Sequence, residues 1–427
     1  MKNLVLGVKG ARDFYPEDMA VRSWLYQIIQ GVSQEFGYQE FDGPFLERID
    51  LYAAKSGEEL VKEQSFVFPD RGGDLVALRP ELTPSLARMV AQRQNGLVYP
   101  LRWWSFGPFW RYEQPQKGRA REFFQWNIDL IGAASPEGDA EIAAIAAAFF
   151  RRAGLKPEEV AILVNNRRLM DQQFQILGIP VELRKGVFRL MDRRDKMRPA
   201  QWEASALELG LTPDQFEGLK GVLADGNLWQ QSDELQRFFK TIEILGAGDF
   251  VRYDPNIIRG LDYYTGTVFE ARDRDGEFRS VLGGGHYDNL VAAVGGNPLP
   301  GVGFGMGDMV VTLVLRKFGC IPAFPDSPAP VLVTVFDTER LPTSFRVASE
   351  LRQAGLKVAC YPEAVKLERQ VKYADKKGMR CVVIIGPDEE ANGQVTLKDL
   401  SGRSQLIVAR ADAATAINKI LAGSPAS

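Results

Sequence analysis

Apolar residues recur at helical spacing through residues 17–36, EDMAVRSWLYQIIQGVSQEF, after an acidic start. This spacing predicts an amphipathic helix, because positions three and four apart share one face and carboxylates favour the first turn. Residues 37–52, GYQEFDGPFLERIDLY, read as a strand that is broken at Gly43-Pro44 and leads into a helix. Residues 139–153 are rich in alanine and predict a further helix.

Two aromatic segments predict a long β-hairpin. YPLRWWSFGPFWRYE and EFFQWNIDLIG flank the polar and basic stretch QPQKGRAR. The hairpin loop therefore carries Lys117, Arg119 and Arg121.

Polar residues alternate with aromatic residues along both arms of this hairpin. Period-two spacing is expected to put Arg111 and Glu113 on one strand face, and Gln125, Asn127 and Asp129 on one face of the returning arm. A solvated face with surface ion pairs is the simpler alternative. The hydrophobic setting of Gln125 and Asp129 favours a polar pocket floored by a sheet.

The pattern then divides the chain. Strand signals vanish between residues 165 and 247, where amphipathic helical segments suggest an inserted module, and they return at 250–285. Prolines mark a linker, after which strands and helices alternate as in a small α/β domain. We therefore expect a core formed by 1–164 and 248–321, a helical insertion of 165–247, a linker of 322–330 and a C-terminal domain of 331–427.

Composition excludes several classes of protein. The chain has 427 residues and a formal net charge of −3, so any contact with nucleic acid must be local. With one histidine and three widely spaced cysteines, neither a zinc site nor a disulfide framework is expected. No apolar run approaches the ~20 residues of a membrane helix, and a reducing cytoplasm is the simplest location.

Three further segments carry candidate chemistry. LRPELTPSLARM places Glu81 and Thr83 between prolines, which suits either a cleft or a plain helix start with Thr83 as the cap. RGLDYYTGTVFE crowds Arg259, Tyr263 and Tyr264 where a strand begins, as recognition of a small polar molecule would require. In LGGGHYDNL the glycines permit close approach, and His286 fits a satisfied turn residue as well as a functional one.

Together these segments resemble the class II aminoacyl-tRNA synthetases, and among them the histidyl-tRNA synthetase family. GVKGARDFYPED is similar to the family's opening, and GYQEFDGPFLE to motif 1, in which Pro44 would lie at a dimer interface. Residues 111–129 resemble motif 2, and the segments around Tyr263 and His286 resemble two histidine-specific motifs. The resemblance implies an α+β fold: an antiparallel-sheet catalytic core with a helical insertion, plus a C-terminal α/β anticodon-binding domain.

The resemblance also implies a reaction and its partners. The protein would ligate L-histidine to histidine tRNA through a histidyl-adenylate, as a cytoplasmic homodimer without a membrane contact. ATP would enter with Mg²⁺ bound through its phosphates, without a dedicated protein metal site. Arg259 and Arg111 would be the catalytic cations.

The remaining roles follow motif by motif. Histidine would be bound by Glu81, Leu82, Thr83, Arg111, Gln125, Asp129, Arg259, Tyr263 and Tyr264. ATP would be bound by Arg111, Glu113, Arg119 and Phe123, with Phe123 stacking on adenine. Gln116 and Lys117 would contact tRNA.

Three positions depart from the family pattern. Val310 stands where motif 3 carries an arginine that clamps ATP phosphates, His286 where the family usually has arginine, and Gln114 where arginine is common in the motif 2 loop. The missing motif 3 arginine would also suit a synthetase-like regulatory subunit of ATP phosphoribosyltransferase, which generally lacks the C-terminal domain. A non-catalytic sensor of histidine or tRNA is a third alternative, against which the intact Arg111, Glu113, Phe123 and Arg259 argue.

Overall fold

The computed structural model describes residues 5–53, 64–194, 197–258 and 263–423. The chain divides into two compact units, Met1–Pro322 and Ala323–Ser427. Each unit has hydrophobic core residues of its own.

The first unit is built on an eight-stranded sheet and a smaller three-stranded sheet. Its described strands are β1 (Gln39–Glu40), β2 (Leu46–Arg48), β3 (Val67–Pro69), β4 (Leu75–Leu78), β5 (Leu101–Trp110), β6 (Glu122–Ile131), β7 (Val160–Asn166), β8 (Val251–Tyr253), β9 (Thr267–Asp273), β10 (Leu282–Tyr287) and β11 (Gly301–Gly307). The large sheet has the order β1-β5-β6-β11-β10-β9-β7-β8, and β2-β4-β3 form the small one. The pairs from β5 to β7 are antiparallel, whereas β1 and β8 join the two edges in parallel.

Helices pack on these sheets and on one another. They are α1 (Pro16–Glu35), α2 (Ile49–Ala53), α3 (Thr83–Arg93), α4 (Pro136–Arg152), α5 (Arg167–Ile176), α6 (Val181–Asp192), α7 (Pro199–Glu208), α8 (Pro213–Ala224), α9 (Asp233–Ile244) and α10 (Asp308–Lys317). The alanine-rich α4 is buried along most of its length and packs on α1 and α9, because small side chains let neighbouring elements approach closely. Helices α5–α9 follow one another between β7 and β8.

The second unit is a five-stranded sheet with helices. Its elements are β12 (Val331–Val333), α11 (Leu341–Gln353), β13 (Val358–Cys360), α12 (Leu367–Lys376), β14 (Cys381–Ile384), α13 (Pro387–Ala391), β15 (Gln394–Asp399), β16 (Ser404–Ala409) and α14 (Ala413–Ala422). The sheet order is β13-β12-β14-β15-β16, with β13, β12 and β14 parallel and the last two strands antiparallel. Strand β12 is buried throughout, as expected for a central strand covered on both faces.

Two local predictions are wrong by a few residues. Strand β5 ends at Trp110, so Arg111 and Glu113 lie beyond it and do not share a strand face. Helix α3 begins at Thr83 and its N-cap is Leu82, one residue earlier than the proposed cap. Among the described residues, no helix is long and apolar enough to cross a membrane.

Candidate functional site

Alternate glycines of β11 open one face of the central sheet. A Cβ built on Gly303 would lie 2.3 Å from Oδ1 of Asp129, and one built on Gly305 would lie 2.2 Å from Nε2 of Gln125. A Cβ on Gly301 would lie 2.5 Å from Cε2 of Tyr287. Polar side chains from β6 and β10 therefore lie over β11 in space that any larger residue would fill.

The centre of this face is a buried pair from two strands. Tyr287 in β10 donates its hydroxyl hydrogen to Oδ1 of Asp129 in β6 at 2.9 Å. Burial raises the pKa of Asp129 to about 7, which the hydrogen bond from Tyr287 only partly offsets. Burial also raises the pKa of Tyr287 well above its ordinary value, and the charge of Asp129 adds to the shift. Tyr287 is therefore a donor at neutral pH, and a second oxygen of Asp129 remains to accept from a ligand.

Asn127 lies beside this pair on the same strand face. The side chain is buried, and its Nδ2 has no hydrogen-bond partner within the described parts of the chain. A buried amide donor without an acceptor destabilises the folded protein unless a ligand or a water molecule accepts its hydrogen.

Two tyrosines and the start of α3 form a second wall. The rings of Tyr263 and Tyr264 are 4.9 Å apart at their centroids, and the ring of Tyr263 meets that of Tyr287 edge-on at 6.2 Å. Burial raises the pKa of Tyr263 well above its ordinary value; Tyr264 and Glu81 raise it further, whereas a hydrogen bond with Thr83 lowers it. Glu81 and Thr83 are thus neighbours of Tyr263.

Leu82 lies between these two residues and its side chain is 1% exposed. It belongs to the hydrophobic packing under Gly43. Any contact that Leu82 makes with a ligand is therefore limited to its backbone.

An aromatic ring and a guanidinium form a platform next to the polar pocket. Phe123 stacks on Phe109, with ring centroids 5.9 Å apart and planes at 28°. The guanidinium carbon of Arg111 lies 5.4 Å from the centroid of Phe123, and its Nε donates to the carbonyl of Pro80 at 3.0 Å. A flat ring with a fixed cation suits a heterocycle that carries an anionic group.

Further arginines gather around this platform. Arg119 forms an ion pair with Glu113, and Glu113 is buried. Burial lowers the pKa of Arg119 while Glu113 opposes this, and the positive charges of Arg279 and Arg111 lower it further. Arg111 and Arg279 are therefore each close enough to repel Arg119, and an anion such as a phosphate would relieve that repulsion.

The loop between β5 and β6 contacts the turn between β9 and β10. Nζ of Lys117 lies 3.1 Å from Oε1 of Glu277 and 4.9 Å from the ring centroid of Phe278. The backbone of Gln116 pairs with that of Arg119 in an isolated antiparallel β-bridge. Gln116 and Lys117 also line a cavity of about 490 Å³ that extends to α1 and α10. Arg121 instead packs over the ring of Tyr112 at 4.0 Å, and its Nε donates to the carbonyl of Glu113.

The three departures from the family pattern have distinct surroundings, and of these Gln114 is exposed in the loop between β5 and β6. Val310, in α10, lies beneath the loop, with a Cγ2 3.4 Å from a Cβ built on Gly118. Asp308, near it, is buried and accepts from Arg12 at 2.8 Å and from the backbone N–H of Phe124 at 2.9 Å. His286 lies inside strand β10, so of its two alternatives the turn residue is wrong, and both ring nitrogens contact carboxylates.

The structure brings most of the predicted site residues to one region. Glu81, Thr83, Tyr263 and Tyr264 are mutual neighbours, and Gln125 and Asp129 face β11 beside them. Arg259 lies outside the described residues. Tyr287 and Arg279 were not predicted from the sequence. Residues 301–307, GVGFGMG, were considered only as part of motif 3, although glycine at every second position of a strand indicates a face without side chains.

Comparison with known proteins gives a consistent result. The family model for histidyl-tRNA synthetase matches residues 10–308, and that for the anticodon binding domain matches residues 330–420. A histidine–tRNA ligase from Thermoplasma volcanium is 38% identical over 95% of this chain and 96% of its own length, and one from Leptospira biflexa is 34% identical over 97% of both. The crystal structure of a histidyl-tRNA synthetase from Nostoc superposes with a TM-score of 0.83 at 29% identity, covering 98% of this chain and 100% of that one.

These matches extend over both units, and they confirm the expected α+β fold with a class II synthetase core and a C-terminal anticodon-binding domain. The chain belongs to the histidyl-tRNA synthetase family.

Proposed function

We propose that the protein ligates L-histidine to histidine tRNA in two steps, through a histidyl-adenylate. The observation that carries this proposal is the buried Asp129–Tyr287 pair, which lies on the same sheet face as the Phe123–Arg111 platform. A polar pocket for an amino acid thus adjoins a flat cationic surface for a nucleotide. Family membership supplies the reaction class.

Histidine is bound by complementary donors and acceptors. Asp129 accepts a hydrogen from a ring nitrogen of the substrate, and Tyr287 orients that carboxylate. Glu81, Thr83, Gln125 and Tyr263 would bind the α-ammonium group, with Tyr264 beside Tyr263, and Leu82 would contribute its backbone only. A competitor with an apolar side chain would leave the second oxygen of Asp129 and Nδ2 of Asn127 without a partner, which costs about 1–3 kcal/mol for each buried group.

ATP is bound by the platform and its arginines. Adenine stacks on Phe123 with Glu113 near the base, and Arg111 and Arg119 hold phosphate oxygens, since a guanidinium can donate to two oxygens at once. This cationic lining suits phosphates and disfavours a free metal ion, which fits Mg²⁺ that arrives on ATP. Mg²⁺ would neutralise phosphate charge there.

The chemistry needs alignment and charge stabilisation more than a protein base. In the first step a carboxylate oxygen of histidine bonds to the α-phosphorus, and the bond to pyrophosphate breaks. Arg111 and Arg259 stabilise the charge on the α-phosphate. In the second step the terminal ribose hydroxyl of the tRNA attacks the carbonyl carbon and AMP leaves.

The partners follow from the two units. The C-terminal unit, within which the anticodon binding domain model matches, would bind the anticodon, and Gln116 and Lys117 would contact the acceptor end of the tRNA. The protein would act in the cytoplasm as a homodimer joined through residues 37–47.

The decisive experiment is histidine-dependent ATP–pyrophosphate exchange by purified protein, with the other amino acids as controls. We expect exchange with histidine alone, and Arg259→Ala should reduce it far more than Val310→Arg raises it. If the wild type binds histidine but shows no exchange at saturating ATP and Mg²⁺, the protein is instead a regulatory, synthetase-like subunit, for which the valine at position 310 would be the explanation.

A further inference from the structure

His286 is buried between two carboxylates. The residue is 2% exposed; its Nδ1 lies 2.8 Å from Oδ1 of Asp139 in α4, and its Nε2 lies 3.2 Å from Oδ1 of Asp288. A neutral imidazole has one N–H, whereas an imidazolium has two. Only the cation can therefore donate to both carboxylates.

The contact continues outward into the helical segment. Oδ2 of Asp288 accepts from Arg168 in α5 at 2.9 Å, and Arg168 donates to Oε1 of Glu234 in α9 at 2.6 Å. Oε2 of Glu234 accepts from Nδ2 of Asn166, at the end of β7, at 2.7 Å. This series of ion pairs and hydrogen bonds connects β10 to α5, α9 and β7.

The contact also reaches inward to the proposed histidine pocket. Tyr287 follows His286 directly and points to the opposite face of β10, where its hydroxyl binds Asp129. The carbonyl of His286 accepts from the backbone N–H of Thr265, and a Cβ on Gly266 would lie 3.2 Å from that of His286. A shift of the strand at His286 would therefore move both Tyr287 and the segment that follows Tyr264.

We propose that His286 is a positioning residue of the histidine pocket: its imidazolium, held between Asp139 and Asp288, fixes β10 so that Tyr287 remains on Asp129. This inference rests on the proposed function, because it takes the ligand of the pocket to be histidine. The same clamp links the pocket to the helical segment through Arg168 and Glu234.

The charged neighbours of His286 set the direction of its pH dependence. They are Asp139 from α4, Asp288 directly after β10, Arg168 from α5 and Glu234 from α9. Burial lowers the pKa of His286, but the hydrogen bond and charge of Asp139, followed by Asp288, outweigh it, so the pKa is raised. The clamp is complete while His286 is protonated and both aspartates are ionised, and it weakens as pH rises through the pKa of His286.

The test is calorimetric binding of L-histidine to the full chain between about pH 6 and pH 9, for the wild type, His286→Gln and His286→Arg. The ring of the ligand and Asp129 also titrate, but they do so in all three proteins, so the ratio of affinities isolates position 286. We expect His286→Gln to bind about tenfold more weakly than the wild type at about pH 6, and less so at about pH 9. His286→Arg, with its permanent charge, should match the wild type at low pH and exceed it at high pH.

Two further variants keep the test decisive if His286→Gln does not fold. Asp288→Asn alters a half-exposed side chain and should weaken histidine binding with the same pH trend. Asp233→Asn is the control, because this carboxylate is in α9 beside Glu234 but its side chain is 84% exposed. Its affinity for histidine and its pH profile should match those of the wild type.

The outcomes separate the two proposals. Equal affinity and an unchanged pH profile in His286→Gln and Asp288→Asn would refute the positioning role. A wild type that binds histidine with the expected dependence on position 286, but lacks pyrophosphate exchange, would refute the ligase function and leave the positioning role intact. A wild type that does not bind histidine would overturn both.

Discussion

The hydroxyl of Tyr287 and the carboxylate of Asp129 meet across strand β11, 158 positions apart in the chain. The contact exists because Gly301 and Gly303 lack side chains where the two residues approach each other. Asp129 is thereby held as a buried carboxylate whose pKa is raised to about 7. Such a group destabilises the empty protein above neutral pH and becomes useful only when a ligand donates to it.

Asp129→Asn should therefore raise stability while it weakens binding. The folded-state pKa lies above the ordinary value of 3.8, so the wild type loses stability as pH rises through about 7, and the amide variant does not. At about pH 8 we expect Asp129→Asn to have the higher Tm and a free energy of unfolding that exceeds that of the wild type by up to about 4 kcal/mol. Near pH 4 we expect the two proteins to be equally stable.

Calorimetry of the same variant should show at least about tenfold weaker histidine binding, because an amide replaces the charged acceptor. Thermal denaturation of both proteins across this pH range is the check on stability. A parallel pH dependence of the two Tm values would mean that folding does not shift the pKa of Asp129.

Gly305→Ala should displace Gln125 without unfolding the sheet. The new Cβ would lie 2.2 Å from Nε2 of Gln125, which is the far end of a flexible side chain and can move away. We expect histidine affinity to fall about tenfold, with little change in Tm. Gly307→Ala, in the same strand, is the matched control, because no atom lies within 4 Å of its Cβ. Similar losses in both variants would mean that the effect comes from the strand and not from Gln125.

Arg279 should contribute to ATP binding in place of the arginine that motif 3 lacks. Its charge acts on Arg119, and the neighbouring Phe278 contacts Lys117, so the turn that carries it reaches the proposed phosphate site. Arg279→Ala should raise the KM for ATP about three- to tenfold in the exchange assay, with little change in the KM for histidine. Arg274→Ala, from the same turn but beside Arg252, should leave both values unchanged. An unaltered KM for ATP in Arg279→Ala would remove it from the site.

The small sheet β2-β4-β3 should form part of a dimer interface. It exposes apolar side chains on one face, among them Leu46 at 48% and Phe68 at 42%, which a monomer would leave in water. Leu46→Glu with Phe68→Glu should convert the dimer to a monomer, as measured by light scattering at micromolar concentration. Ile176→Glu changes a still more exposed apolar residue in α5 and should leave the dimer intact. A wild type that is already monomeric would contradict the homodimer proposal.

Local patterns predicted more of the fold than of the site. The hairpin of β5 and β6 was predictable because its alternation is local, and Gln125 and Asp129 follow from it. The end of β5 at Trp110 was not, because polar and aromatic residues continue to alternate beyond the point where the strand ends. His286 shows the larger difficulty: one of its partners, Asp139, is 147 positions away, so no local pattern distinguishes a buried imidazole from a turn residue. Arg279 was missed because an exposed arginine in a turn carries no local signal.

Deleting residues 328–427 should separate the two steps of the proposed reaction. The remaining unit keeps its own hydrophobic core and the proposed histidine and ATP sites, so adenylate formation should remain within about threefold of the wild type. Transfer to tRNA should fall by more than about a hundredfold, because the contacts with the anticodon are lost. Pyrophosphate exchange and histidine tRNA charging, measured on the same preparation, give the two rates. An equal loss of both would mean that the C-terminal unit supports the structure of the first unit, since the chemistry itself needs none of its residues.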